Sequence, residues 1–290
     1  MPELPEVETI VRDLARMLPG ARIDRVEVLR PDLIEEEPAD AFARALEGRE
    51  IGSVTRRAKN IVIDLAGDGL LLVNLGMTGR LMVTDPADEP PLHTGVRMHL
   101  RDGRELRYHD VRRFGRLWRS TREAWEKWEG ELGVEPLSDG FTVAHLRDLA
   151  ARSRVEVKTW LMDQRRVVGV GNIYASEALF RARIDPRKPA DALTDAELGR
   201  LRKGVQDVLR EAIDFRGTTF LDYRDASGER GEFALRLKVY DREGQPCTVC
   251  GDPVRRIVQA GRATFFCPCC QPRGRARKAA APRKKPRPKG

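Results

Sequence analysis

The chain has 290 residues, enough for two or three modest domains with real cores. At 41% hydrophobic and 34% charged residues it is not a disordered protein, and no apolar run approaches the roughly 20 residues that span a bilayer. The formal charge of +8 comes from the end of the chain: residues 272–290 carry nine Lys or Arg and no acid, so the rest is close to neutral.

The chain opens MPELPEVETI. Met1 precedes a small residue, so its removal is expected to leave Pro2 with a free secondary amine and Glu3 beside it. A purely structural reading is that Pro2 pre-sets the first helical turn while Glu3 and Glu6 complement the helix dipole. Val7, Ile10, Val11, Leu14 and Leu18 follow helical spacing and predict an amphipathic helix over 3–18. No signal peptide is evident, which predicts a cytoplasmic, nucleoid-associated protein.

Alternating runs follow: RIDRVEVL, NIVIDLAG, LLLVNLGM, RMHLRDGRELRYHD and RLW. In the fourth, Asp102-Gly103 offers a hairpin turn. These predict one antiparallel β-domain closing near residue 119. Residues 120–137 read as a linker, with charge, Pro136 and little apolar periodicity. Helical signals dominate from 141 to 215: Thr142 can cap AHLRDLAARS, VKTWLMDQRR and IYASEALFRA follow, and Thr194 with Glu197 forms a capping box for a fourth helix. A loop rich in Gly, Asp and Arg over 217–232 precedes a short strand and the cysteines.

All five cysteines lie between 247 and 270. Cys247-x2-Cys250-x16-Cys267-x2-Cys270 fits a four-thiolate tetrahedral zinc site on two knuckles, with Cys269 surplus. Four protein ligands leave no open position, so the zinc is structural. The intervening RRIVQAGRATFF predicts a hairpin turning at Ala260-Gly261, with Arg262 at its tip. In GVGNIYASEALF the glycines break one helix and Asn172 stands where the next begins, where a phosphate can bind. NLGMTG (74–79) and DVRRFG (110–115) each end a β run beside glycine. A methionine or phenylalanine beside arginine is equipment for entering a base stack. Lys59, with Arg56 and Arg57, adds a basic spot.

Together these pieces resemble the bacterial formamidopyrimidine-DNA glycosylase (Fpg/MutM) family. PELPEVE, RRAK at 56–59, NLGMTG, RRFG at 112–115, LMDQ…VGVGNIYASEALF and the hairpin ending CPCCQ occur in family order over residues 2–271. The resemblance implies a multidomain α+β fold. Residues 1–119 would form an N-terminal helix plus antiparallel β-sandwich, and 120–137 a linker. A helix–two-turn–helix domain with a lesion flap at 217–232 would occupy 138–232, a zinc-finger hairpin 233–271, and a disordered basic tail 272–290. It implies a monomer that binds damaged double-stranded DNA. It would excise oxidised purines (8-oxoguanine, formamidopyrimidines) and nick the strand by β,δ-elimination through a Schiff base at the terminal proline.

The roles implied are position by position. Pro2 is the nucleophile, Glu3 the general acid that opens the sugar, and Glu6 an accessory carboxylate. Lys59 serves β-elimination and Arg262 grips the lesion phosphates and serves δ-elimination. Asn172 binds phosphate, Tyr240 lies in a strand leading into the finger, and His93 contacts DNA. Met77, Arg112 and Phe114 fill the gap left by the extruded base, with Arg112 reading the orphan cytosine. Three positions depart from the family pattern. Asn74 stands for a histidine that binds phosphate, and Val111 replaces a proline. A basic position falls on Ser153, leaving the flanking Arg152 or Arg154 to make that contact. Two other readings stay open. An endonuclease VIII-like glycosylase for oxidised pyrimidines usually begins PEGPE and lacks RRFG. A zinc-dependent protein that binds damage without cutting has no need of Pro2, Glu3 and Lys59 together.

Overall fold

The computed structural model describes residues 2–218 and 231–273. The N-terminal segment folds as α1 (Leu4–Met17), burying Val7, Ile10, Val11 and Leu14 as their spacing requires. Glu3 is its N-cap and Pro5 sits in its first turn, so Pro2 lies outside the helix rather than starting it. The helix belongs to two cores at once. Leu4 packs into the helical domain, while Val7, Ile10 and Leu14 pack into the β-domain.

In chain order there follow β1 (Ile23–Val28), α2 (Ala39–Leu46), β2 (Ile51–Arg57), β3 (Asn60–Leu65), β4 (Gly69–Asn74), β5 (Gly79–Thr84), β6 (Thr94–Leu100), β7 (Glu105–Asp110) and β8 (Arg116–Thr121). They form two antiparallel sheets, ordered β1-β6-β7-β5 and β2-β3-β4-β8. Ile61, Ile63, Leu71 and Val73 from one meet Leu81, Val96, Met98 and Leu106 from the other in a common core. The chain crosses between sheets three times, after β1, after β4 and after β7. Because Asn74 pairs with Arg116 and Gly79 with Asp110, the last two crossings fall at one corner.

The stretch 120–137, expected to be an irregular linker, contains α3 (Arg122–Glu129). The Thr121 hydroxyl accepts from Ala124 N at 3.2 Å to cap it. Its apolar face is two tryptophans among charges, too sparse to show a period. Beyond it come α4 (Val143–Ala150), α5 (Val157–Leu161), α6 (Asn172–Ala182) and α7 (Asp195–Asp214). Thr142 caps α4, and Thr194 with Glu197 forms the expected box on α7. The run VKTWLMDQRR gives only the five-residue α5. Asp163 O then accepts from both Arg166 N and Val167 N, turning the chain away. Trp160, Tyr174, Leu179, Val205 and Leu209 centre this domain's core.

β9 (Arg255–Gln259) and β10 (Arg262–Phe266) make the C-terminal hairpin, over a small core of Val239, Val254 and Phe265 with Phe180 of α6. Among the described residues 231–254 no strand leads into it. Phe233–Arg236 is a 3-10 turn, and the N–H groups of Lys238, Val239 and Tyr240 all donate to the buried Glu177 carboxylate at 2.9–3.0 Å. Three successive donors given to one side chain are not available to a ladder. Burial pushes the Glu177 carboxyl up. Most of the expected flap (219–230) and of the expected disordered tail (274–290) lies outside the described residues. Among the described residues no helix is long and apolar enough to cross a membrane.

Candidate active site

The centre lies where the start of α1 meets the start of α6. Leu4 N donates to Gly169 O at 2.9 Å, which docks the N-terminus on the turn between α5 and α6. Pro2 is buried there. The buried Glu3 carboxylate closes a capping box on its own helix and also reaches across to α6. It accepts from Gly171 N at 2.6 Å, Ile173 N at 2.9 Å and Tyr174 N at 3.4 Å, the unpaired donors that open α6. The helix N-terminus expected to take a phosphate is therefore occupied by Glu3. Gly171 is required by this approach, since a Cβ there would lie 2.4 Å from the Glu3 carboxyl carbon.

Glu6 sits one turn on, also buried. It accepts from Glu3 N at 2.8 Å, the Tyr174 hydroxyl at 2.5 Å and Thr218 N at 2.7 Å. Burial, reinforced by Glu3, outweighs these donors and pushes its carboxyl up to about 7. Thr218 is the last described residue before 219–230, so the base of the expected flap is tied to the active-site helix. The Tyr174 hydroxyl is also 3.0 Å from the Thr218 hydroxyl.

Lys59 follows Ala58, whose φ is 55°, at the turn between β2 and β3. The ion pairs of Arg56 and Arg57 with Glu135 and the bond from Ala58 N to Glu135 at 2.8 Å fasten this turn. Those arginines are thus structural. Burial pushes the Lys59 ammonium down; Glu3 and Glu6 oppose this and Arg262 adds to it, which puts all four side chains in one electrostatic field. Arg262 is exposed at the first residue of β10, just past the Ala260-Gly261 turn, as the hairpin spacing predicts.

Sequence reasoning missed Lys158. Buried on α5, it donates from Nζ to Asn172 Oδ1 (2.5 Å), Thr264 Oγ1 (2.7 Å) and Ala263 O (3.0 Å), joining α5, α6 and β10. Burial lowers its pKa to about 8. A lone lysine in an apolar run carried no signal, because its burial depends on a hairpin more than 100 residues later. Asn172 is the first residue of α6, with Gly171 as the cap, so its side chain is free to meet Lys158 and Tyr240. Tyr240, held through Glu177, stands edge-on to Phe265. Arg154 is exposed on the loop before α5, and among the described residues no hydrogen bond or ion pair brings it to this centre. Ser153 beside it is buried.

Met77, Arg112 and Phe114 meet at the corner where the chain crosses between sheets. Asp110 ties the two loops, accepting from the Thr78 hydroxyl (2.5 Å), Arg112 N (3.2 Å) and Gly115 N (2.8 Å). Gly76, at φ 55°, lets them touch: a Cβ there would lie 2.5 Å from Gly115 N. Phe114 is 54% exposed with the Arg112 guanidinium 4.7 Å above its ring, an apolar wedge with a cation on solvent. Val111 is exposed here without disturbing the turn. Asn74 Nδ2 donates to Asn60 Oδ1 at 2.8 Å, and its Oδ1 accepts from Gly76 N. His93 is exposed, its ring edge-on to His109 at 6.2 Å.

Cys247, Cys250, Cys267 and Cys270 place their sulfurs within 4.8 Å of one another, with pairs at 3.4 and 3.9 Å. Bonds of about 2.3 Å to a tetrahedral zinc require sulfurs about 3.8 Å apart, so the set fits one structural zinc. Val249 N and Cys270 N point at Cys247 and Cys267 Sγ, as knuckle amides do. Cys269 is exposed and outside this set.

Three family models match the chain: Formamidopyrimidine-DNA glycosylase N-terminal domain over residues 1–117, Formamidopyrimidine-DNA glycosylase H2TH domain over 132–223, and Zinc finger found in FPG and IleRS over 244–273. The chain is 45% identical over 276 residues to the formamidopyrimidine-DNA glycosylase of Heliobacterium modesticaldum, covering 93% of this chain and 100% of that protein. It is 46% identical over 259 residues to that of Moorella thermoacetica, covering 89% and 94%. The crystal structure of MutM (Fpg) from Thermus thermophilus superposes with a TM-score of 0.84 at 42% identity, over 93% of this chain and 98% of that one. Lactococcus lactis Fpg in complex with abasic-site DNA superposes at 0.88 and 30% identity, over 93% and 100%. With its three modules in order and its cysteines set for zinc, the chain belongs to the formamidopyrimidine-DNA glycosylase family.

Proposed function

We propose that the chain is a DNA glycosylase with AP lyase activity, acting on 8-oxoguanine and formamidopyrimidines in duplex DNA in the bacterial cytoplasm, at the nucleoid. The carrying observation is the convergence of Glu3, Lys59 and Arg262 on the buried Pro2 end of α1, from three separate parts of the chain.

With Met1 removed, Pro2 carries a secondary amine that is substantially neutral near pH 8. Its nitrogen attacks C1′ as the bond to the base breaks, the base leaving with the electron pair and a proton. Glu3 protonates the ring oxygen, opening the sugar to an iminium. The cationic nitrogen acidifies the C2′ proton, and Lys59 is the base that takes it. Its burial favours the neutral amine this step needs. The 3′ phosphate leaves, then the 5′ phosphate, with Arg262 binding the phosphate charge, and water releases Pro2. Glu6, its carboxyl pushed up to about 7, is the accessory carboxylate beside Glu3. Met77, Arg112 and Phe114 fill the gap in the stack, where extrusion costs a few kcal/mol. Asn74, Asn172, Tyr240 and His93 contact the backbone, with Arg154 on the periphery. Zinc keeps the hairpin folded.

The test is borohydride trapping on an 8-oxoguanine duplex. A covalent adduct mapping to Pro2 of a chain without Met1 is the expected result. An adduct at a lysine moves the nucleophile elsewhere, and binding without any adduct favours a damage-binding protein.

A further inference from the structure

Three of the four tryptophans, Trp118, Trp125 and Trp128, line one cavity of about 570 Å3, and its opposite wall includes Lys59 and Asn74. Strand register explains this placement. Cross-strand partners share a face of a sheet. Asn60, Asn74 and Arg116 therefore form one outward row on β3, β4 and β8, and Val62, Leu72 and Trp118 the next. The floor thus passes from polar to aromatic within two rows. α3 closes the far side: Trp125 is buried on Val62, Leu70 and Leu72, and Trp128 stacks on Trp125 with ring centroids 4.9 Å apart. Trp128 is still 40% exposed. Covering the sheet needs Trp125 alone, so the second stacked indole is left facing the cavity. The volume lies in the range of small-ligand sites.

We propose that this cavity takes one unpaired nucleotide of the DNA strand that passes Lys59. The inference rests on the DNA-repair reading above and extends it to a second base-binding site. Three observations select this occupant. The cavity is continuous with the DNA site through Lys59 and Asn74, so a strand held there reaches it without crossing other protein. An exposed indole on a stacked partner is a platform for any base, since every base has a π-face. The charges are divided: Arg116 and Lys59 stand near the phosphate path, while the Glu35 and Glu36 carboxylates at the rim repel phosphate and accept from exocyclic amines. The cavity therefore suits a base with its phosphate outside. Strand scission supplies such a nucleotide, because a one-nucleotide gap leaves ends that can fray. The cavity then retains the nicked product by the frayed end beside the gap.

The experiment uses the full-length zinc-bound protein and gapped duplexes carrying phosphates at both ends of the gap. 2-Aminopurine is placed on one or the other side of the gap, either paired with thymine or mismatched. Wild type should quench the mismatched 2-aminopurine on one side and bind that duplex about tenfold more tightly than the paired one, the size of one base–aromatic stack. Trp128→Ala should lose both the quenching and the preference, and Trp128→Phe should restore much of each. Equal fluorescence and affinity in wild type and Trp128→Ala would overturn the proposal, leaving the indoles as sheet cover. Failure of wild type to bind any gapped duplex would instead overturn the DNA reading, and this proposal with it.

Discussion

Gly171 N donates to Glu3 Oε2 at 2.6 Å across 168 residues of sequence, and this bond joins the N-terminus to the helical domain. A side chain at 171 would put its Cβ 2.5 Å from Glu3 Oε1. Gly171→Ala should keep its circular dichroism but lose about 100-fold in base excision, the cost of a catalytic group displaced by about 1 Å. Single-turnover excision of 8-oxoguanine measures this, and an unchanged rate would detach Glu3 from the reaction.

Glu6 makes stability pH-dependent. Its carboxyl rises from an ordinary 4.5 to about 7 on folding, so between those values the native state holds a proton that the unfolded chain has lost. Stability should therefore fall as pH rises from 4.5 to 7, by on the order of 3 kcal/mol if Glu6 acts alone. Glu6→Gln should flatten that slope in urea titrations taken across the range.

All three protons of the Lys158 ammonium are engaged within the protein, which makes it a positioning residue between the hairpin and Asn172. Lys158→Met leaves buried acceptors unpaired, a loss of about 1–3 kcal/mol. We expect weaker DNA binding with zinc retained. In wild type, binding should also weaken as pH rises through about 8, where Lys158 loses its charge, and that component should vanish in the variant. Fluorescence anisotropy between pH 7 and about 9 tests both.

Zinc removal should act locally. The hairpin's core is a handful of residues, whereas the β-domain core is separate and large. A structural zinc stabilises such a module by about 10 kcal/mol or more. Cys267→Ser should lose zinc and most DNA affinity, while the main thermal transition persists. Full strand incision without zinc would contradict this.

What the sequence disclosed depended on how local each feature is. The cysteine spacing, the turn at Ala260-Gly261 and the capping box of Thr194 and Glu197 are set within a few residues, and each formed as expected. Resemblance to a known family marked Pro2, Glu3, Lys59 and Arg262, and the fold brings the last three into one field around the end that Pro2 begins. Long-range partners were hidden. Glu177 takes three donors that alternation around Val239 would assign to a strand, and Glu3 serves the dipole of α6 as well as its own helix. The linker concealed α3 because two tryptophans among charges make no stripe.

The centre's parts lie far apart along the chain, at residues 3, 59 and 262, and this orders events during synthesis. The first to leave the ribosome is the N-terminal segment, long before the hairpin exists, and domains fold broadly in order of emergence. A chain cut short before the hairpin carries Pro2, Glu3 and Lys59 but lacks Arg262 and the buried bridge of Lys158 to β10. The proposed centre is thus complete only once the hairpin has been made, and a fragment ending before it should bind DNA more weakly than the full chain.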